Sequence, residues 1–212
     1  MDFDTDGPDI HRLLDIERRL KIDLEKQIFP WDYSDNLKVA TVRNGLLNID
    51  SFVGWRRSVP ITEIQRFLHK INWGNLDYLL VDTPPGLSLE FRSVIQTIPD
   101  TQTVIVTAPN KISGELARKM IDFFRKEKIR ILGWIENMRG FWCQDCDRRK
   151  ELFSTGGGTR AVFLMDIPFL GRIPIDPHIL ECVDLGTSYL EKYPDSEAAI
   201  AYQLITKKIM KI

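Results

Sequence analysis

The stretch Tyr78-Leu-Leu-Val-Asp82-Thr-Pro-Pro-Gly86 ends an apolar run in a carboxylate, and two prolines and a glycine then turn the chain. Ligands of open α/β sheets sit beyond the carboxyl ends of the strands. A carboxylate delivered there can hold Mg²⁺ through water, and a glycine lets a backbone N–H approach a γ-phosphate. A strand-capping aspartate before a proline turn would need no ligand, but Asp-x-Pro-Pro-Gly after an apolar run favours the magnesium-nucleotide reading. Asp2 and Asp4, in Met-Asp-Phe-Asp-Thr-Asp-Gly-Pro, are a second acidic feature. Taken locally they read equally as a solvated acidic tail or as a strand end facing a site. Cys143 and Cys146 form a Cys-x-x-Cys pair. That spacing orients two thiolates toward one soft metal ion or cluster. A redox pair or an incidental doublet is the competing reading, since only half a ligand set is present. Two subunits meeting at this loop across a two-fold axis would complete it with four thiolates. Gly156, Gly157 and Gly158, with Arg160 close by, could cradle an anion at a helix start. A turn that tucks the cysteine loop against the domain suits them better, because no lysine follows.

These residues need a scaffold, and the apolar pattern supplies one. Leu37–Val42, Leu76–Asp82, Gln102–Pro109 and Ile129–Asn137 read as strands. The run at 76–82 has the continuous apolar character of a strand buried on both faces of a parallel sheet. Val59–Ile71, Ser113–Glu127 (with Ser113 as N-cap) and the segment from Glu197 to the end carry helical spacing. Residues 159–166 follow the glycines as a further helix, and Cys182 falls on another as a small buried residue. Strands alternating with helices imply βαβ units, hence an α/β fold with a mostly parallel central sheet and helices on both faces. The region from Leu20 to Arg57 is less regular and is assigned little.

Composition narrows the function classes. Among 212 residues, 29 Lys plus Arg nearly balance 30 Asp plus Glu, so no net field argues for nucleic acid or an anionic membrane as partner. No apolar run approaches the roughly 18 residues of a membrane span. Three cysteines are no disulfide framework, which fits a reduced, cytoplasmic compartment.

With these pieces in order the chain resembles the Mrp/ApbC iron–sulfur cluster carriers, which belong to the deviant-Walker-A P-loop ATPases with MinD and the nitrogenase iron protein. The likeness runs over nearly the whole chain. The opening Met1–Leu14 segment is similar to the family's Asp-x-Asp-x-x-Gly-Pro-Ser-Ile-Pro block, and residues 53–59 to its Trp-Arg-Gly stretch. Residues 73–86 resemble its Walker B and switch II, and residues 132–146 its Leu-Gly-x-x-Glu-Asn-Met-Ser-x-Phe-x-Cys-Pro-x-Cys block. Residues 153–162 and 167–177 are similar to its Phe-Gly-x-Gly-Gly-Gly and Pro-Phe-Leu-Gly-x-Ile-Pro-x-Asp-Pro blocks. The resemblance implies a single domain over 1–212 with the cysteine loop at about 138–150. It also implies a P-loop NTPase (MinD-like) architecture. Asp82 would be the Walker B magnesium carboxylate and Gly86 the switch II contact. Asp4 would sit near the attacking water, with Asp2 supporting it. Asn137 would read the adenine edge, and Pro174 and Asp176 would line the base pocket. Cys143 and Cys146 would bind a [4Fe–4S] cluster bridged across a homodimer, for transfer to apo iron–sulfur client proteins under control of ATP with Mg²⁺.

The sequence departs from the family pattern at four places. Gln144 replaces the proline of Cys-Pro-x-Cys, Arg139 stands where a small residue is usual, and Trp55-Arg-Arg-Ser58 lacks the family's glycine. No Gly-Lys dipeptide occurs, and the chain begins at the Asp-x-Asp segment. The family's phosphate loop would precede that segment, so about one βαβ unit of roughly 30 residues is expected to be missing, with little or no ATP hydrolysis by these 212 residues. Two other readings share parts of the pattern. A MinD- or ParA-like partitioning ATPase would use the same pocket and a membrane-binding tail. A zinc-stabilised, non-catalytic binding module would use the cysteines alone.

Overall fold

The computed structural model describes residues 1–5, 7–16, 20–42, 61–143, 148–150, 162 and 164–212. They form two compact units, Met1–Asp100 and Thr101–Ile212.

In the first unit the extended residues Met1–Phe3 run between two other extended segments and parallel to both, with Asp2 paired to Thr41 on one side and Asp82 on the other. The ladder is continuous. Asp2 N–H donates to the Ala40 carbonyl (2.8 Å) and Val42 N–H to that of Asp2 (3.1 Å), while Phe3 N–H donates to Asp82 (2.8 Å) and Asp82 N–H to Met1 (2.9 Å). Two antiparallel hairpins occupy the less regular region: β1 (Lys21–Ile22) with β2 (Ile28–Phe29), and β3 (Trp31–Ser34) with β4 (Leu37–Val39). After the short helix α1 (Ile10–Leu13), helix α2 (Ile61–Lys70) appears where the sequence predicts it. Its apolar spacing points Ile64, Phe67 and Leu68 into one core with Phe3, Ile28, Val42 and Val94. The Phe3 and Phe67 rings lie nearly parallel, with centroids 6.2 Å apart. Helix α3 (Leu89–Thr97) packs on α2 and starts at Ser88, whose hydroxyl accepts from Phe91 N–H.

The run at 76–82 corrects one expectation: it forms no regular strand, only a bridge at Asp82. Leu79 and Val81 pack against the core, but Leu76, Tyr78 and Leu80 are 42%, 61% and 81% exposed. Successive side chains of an extended segment alternate faces, and in this unit only one face is covered.

The second unit is built on a parallel three-stranded sheet ordered β5 (Gln102–Thr107), β6 (Arg130–Glu136), β9 (Phe169–Arg172). Helix α4 (Lys111–Lys126) joins β5 to β6 and packs on both through buried Ala117, Ile121 and Phe124. Its cap is Asn110 rather than Ser113: the Asn110 side chain accepts from Ser113 N–H at 2.9 Å. Asparagine is as strong a cap as serine, and here it begins the helix three residues earlier. Helix α7 (Glu197–Ile209) covers the face bearing Ile135 and Leu170. Gly133 is required by the close approach of β6 and β9, since a Cβ there would meet the Pro168 carbonyl oxygen at 2.5 Å and Leu170 Cγ at 2.7 Å. Between β6 and β9 in sequence come the antiparallel pair β7 (Phe141–Cys143) and β8 (Arg148–Lys150). Helices α5 (Pro177–Asp184) and α6 (Tyr189–Lys192) lead to α7, and Cys182 is buried on α5 as expected. Among the described residues no helix is long and apolar enough to cross a membrane.

Candidate functional site

Two sets of predicted residues gather, one in each unit. In the first, the parallel pairing sets Asp2 beside Asp82 although 80 positions separate them. Asp2 is fully buried, and both its carboxylate oxygens accept backbone N–H groups, Oδ1 from Asp4 (3.3 Å) and Oδ2 from Ile10 (3.1 Å). It therefore organises the turn from the strand end into α1. Asp4 is half-buried and accepts from Gly7 N–H at 3.0 Å. Asp82 is exposed at its bridge to Asp2. Partial burial first, and then the charge of Asp4, push the Asp82 carboxyl above the ordinary aspartate range. Burial likewise raises Asp2, against the backbone hydrogen bonds that favour its ionised form. At Asp82 the charge of the Met1 amino group and a hydrogen bond from Thr83 N–H oppose this rise without overcoming it. Among the described residues no group of three or more His, Cys, Asp and Glu could cage a metal ion. Mg²⁺ suits such a place, because it takes one or two carboxylates and completes its shell with water and phosphate oxygens. Four residues on, Gly86 adopts φ 83° in the turn before α3, a conformation that costs glycine nothing.

In the second unit Asn137 follows β6. Its N–H donates to the Thr107 carbonyl (2.8 Å) and its side-chain oxygen accepts from Met138 N–H (2.9 Å). Pro174 and Asp176 line a cavity of about 730 Å³, together with Phe141, His178, Tyr193 and Ser196. Asp176 caps α5. Its Oδ1 accepts from His178 N–H (2.9 Å) and meets His178 Nδ1 (2.8 Å), while Oδ2 accepts from the Tyr189 hydroxyl (2.5 Å). Burial works against its charge, but the hydrogen bonds from Tyr189 and His178 prevail and hold the carboxyl below the usual range. Burial, and then its bond to Asp176, push the Tyr189 phenol up to about 12. Cys143 ends β7, and Cys146 lies outside the described residues, as do residues 53–59 and Gly156, Gly157, Gly158 and Arg160.

One feature escaped sequence reasoning. Glu136, fully buried at the end of β6, pairs with Arg172 Nε (2.9 Å) and lies 3.6 Å from Arg139 NH1. The signal was a glutamate closing an apolar strand with an arginine three residues on, and its partner on β9 becomes visible only in the sheet.

A parallel sheet with flanking helices and acidic residues at a strand's carboxyl end defines an α/β fold of the P-loop NTPase class, shared with MinD- and ParA-like proteins. The chain belongs to the ParA-type family of NUBPL iron-transfer P-loop NTPases, whose model matches residues 1–210. A nucleotide-binding protein from Archaeoglobus fulgidus, solved in complex with ADP and with Co found by PIXE, is 30% identical. That alignment covers 93% of this chain and 75% of that one, with a TM-score of 0.71. The cell division ATPase MinD of Pyrococcus furiosus is 20% identical over 96% of this chain and 81% of its own, at TM-score 0.63. MinD from Pyrococcus horikoshii, complexed with Mg-ADP, is 20% identical over 95% and 78%, also at 0.63. The two MinD likenesses speak for the fold alone.

Proposed function

We propose that the protein is an iron–sulfur cluster carrier that takes a [4Fe–4S] cluster as cargo between two copies of the chain and hands it to apoproteins, under control of a magnesium nucleotide. The family membership supports iron transfer. The observation that carries the nucleotide half is the parallel bridge that sets Asp82 beside Asp2, with Asp4 close enough to raise the Asp82 carboxyl. Asp82 would hold Mg²⁺ through water, and Mg²⁺ when bound would neutralise phosphate charge. Asp2 positions the turn that carries Asp4, and Asp4 would orient the attacking water. Gly86 would present its backbone N–H to phosphate. Asn137, Pro174 and Asp176 would receive the base, with Asp176 acting as the cap that fixes the pocket wall. Cys143 and Cys146 would each give one thiolate, so that a two-fold pair supplies the four a cubane cluster needs.

Anaerobic reconstitution with iron and sulfide tests the reading. About two iron atoms and two sulfides per chain are expected, the share of one cubane between two chains. Cys143→Ser with Cys146→Ser should abolish both. Iron retained by the double variant, or stoichiometric zinc in place of iron, would overturn the carrier reading. As these 212 residues hold no Gly-Lys dipeptide, we expect no measurable Mg-ATP turnover from them alone.

A further inference from the structure

The near-zero net charge of the chain conceals a local surplus at one end of the second unit. Strands β5, β6 and β9 run parallel, so the end of α4, which leads into β6, and residues 164–168, which lead into β9, lie at the amino ends of the strands. Arg130 Nη2 donates to the Ile212 carbonyl (3.2 Å) and Lys208 Nζ to that of Leu170 (2.7 Å), which brings the end of α7 to the same place. Arg125, on α4, donates to the Met165 carbonyl. With Lys208, the exposed cations here are Arg125, Lys126, Lys128, Arg130, Lys207 and Lys211. Against these seven stand Glu127, Asp166 and the Ile212 carboxyl group.

Cations in the last turn of a helix complement the carbonyl end of its dipole, which accounts for Arg125, Lys126, Lys207 and Lys208. It does not account for Lys128, Arg130 and Lys211, nor for the apolar side chains set among the cations. Leu164, Met210 and Ile212 are 73%, 61% and 50% exposed. Among the described residues Lys126, Lys128, Lys207 and Lys211 have no ion-pair partner. An acidic protein or a nucleic acid would complement the charge and leave the apolar side chains in water. An anionic bilayer takes both, cations at its headgroups and apolar side chains at the acyl boundary.

We infer that this end of the second unit docks on the surface of an anionic lipid bilayer. Lys126, Lys128, Lys207 and Lys211 meet the phosphates, and Leu164, Met210 and Ile212 enter the headgroup layer. The contact is peripheral, since no described helix is long and apolar enough to cross the membrane. Asn137 and Asp176 stand at the opposite, carboxyl end of the strands. The seven residues of β6 hold the two ends about 20 Å apart, so docking leaves the candidate site facing away from the lipid.

The test is co-sedimentation of the full chain with phosphatidylcholine vesicles, with and without about a quarter of phosphatidylserine. Binding should require phosphatidylserine and fall at least about tenfold between roughly 0.05 and 0.5 M salt, as screening shortens the reach of the charges. Each lysine at an anionic surface contributes about fivefold. Lys126→Gln with Lys128→Gln, Lys207→Gln and Lys211→Gln should therefore weaken binding by more than about a hundredfold. Met210→Ser with Ile212→Ser should weaken it about tenfold and leave the salt dependence unchanged. Lys111→Gln, at the other end of α4 and about 24 Å away, should stay within about twofold of the parent. Equal binding to neutral vesicles, full binding by the quadruple variant or by the serine variant, or a comparable loss in Lys111→Gln overturns the inference. Heparin bound without any vesicle binding overturns it too, and gives the patch to a polyanion that is not a membrane.

Discussion

Glu136 offers the sharpest test of how the second unit holds its site. Its side chain is 0% exposed, whereas Arg139 is 12% and Arg172 48% exposed. Removing the carboxylate therefore has unequal consequences for its two partners. Arg172 can turn to water, and losing a pair with so exposed a cation costs about 0–1 kcal/mol. Arg139 is the more enclosed of the two, and breaking a buried ion pair by removing one partner costs about 3–5 kcal/mol. Glu136→Leu should thus destabilise by about 3–5 kcal/mol, whereas Arg12→Met, which breaks the exposed Arg12–Asp9 pair (3.3 Å), should cost no more than about 1. With a urea slope near ~2 kcal/mol/M, the first variant should lower the unfolding midpoint by roughly 1.5–2.5 M and the second by at most about 0.5 M. Glu136→Leu with Arg139→Leu should recover much of the loss, because a buried pair replaced by apolar groups is often neutral. Because Arg139 N–H anchors the connection leading to β7, the single variant should also lose cluster occupancy after reconstitution. A Glu136→Leu midpoint no lower than that of Arg12→Met would refute the assignment of Glu136 as a buried counter-charge of Arg139 and Arg172.

Other outcomes follow from the same geometry. Gly133→Ala should destabilise by about 1–3 kcal/mol by overpacking, since the added Cβ meets the backbone oxygen of Pro168 at 2.5 Å; thermal melting checks it. Tyr189→Phe removes a hydrogen bond to Asp176 and should cost about 1–2 kcal/mol at neutral pH. Asp176 is held below its ordinary pKa, so the stability it contributes is present above its unfolded value and is lost as pH falls through the folded one. Acid titration of the variant should show a smaller loss across that window. Asp82 is displaced the other way, so the penalty of its charge appears as pH rises through and above its ordinary range. Asp82→Asn should accordingly raise the melting temperature of the ligand-free chain at neutral pH, converge with the parent at low pH, and lose any stabilisation by Mg-ADP. Melting curves at pH 3.5 and 7.5 decide it, and a variant less stable at neutral pH would contradict the reading of Asp82 as a carboxylate whose ionised form the fold disfavours.

Local pattern alone made several elements legible. The helical spacing of Ile64, Phe67 and Leu68, the β-branched run of β5 and the alternation of strands with helices rest on short-range periodicity, which survives in one dimension. Serine and asparagine carry the same capping chemistry, and only the backbone selects Asn110 over Ser113 as the cap of α4. The run at 76–82 is less covered than its apolar character predicts, because an apolar run states what could be covered, not what covers it. The juxtaposition of Asp2 with Asp82, the saturation of Asp176 by His178 and Tyr189, and the enclosure of Glu136 between two arginines join residues far apart along the chain or on different strands. The chain by itself determined which groups are available for chemistry and where strands and helices carry them. Only the tertiary structure decided which of those groups meet, because strand pairing and burial are long-range contacts that no local window contains.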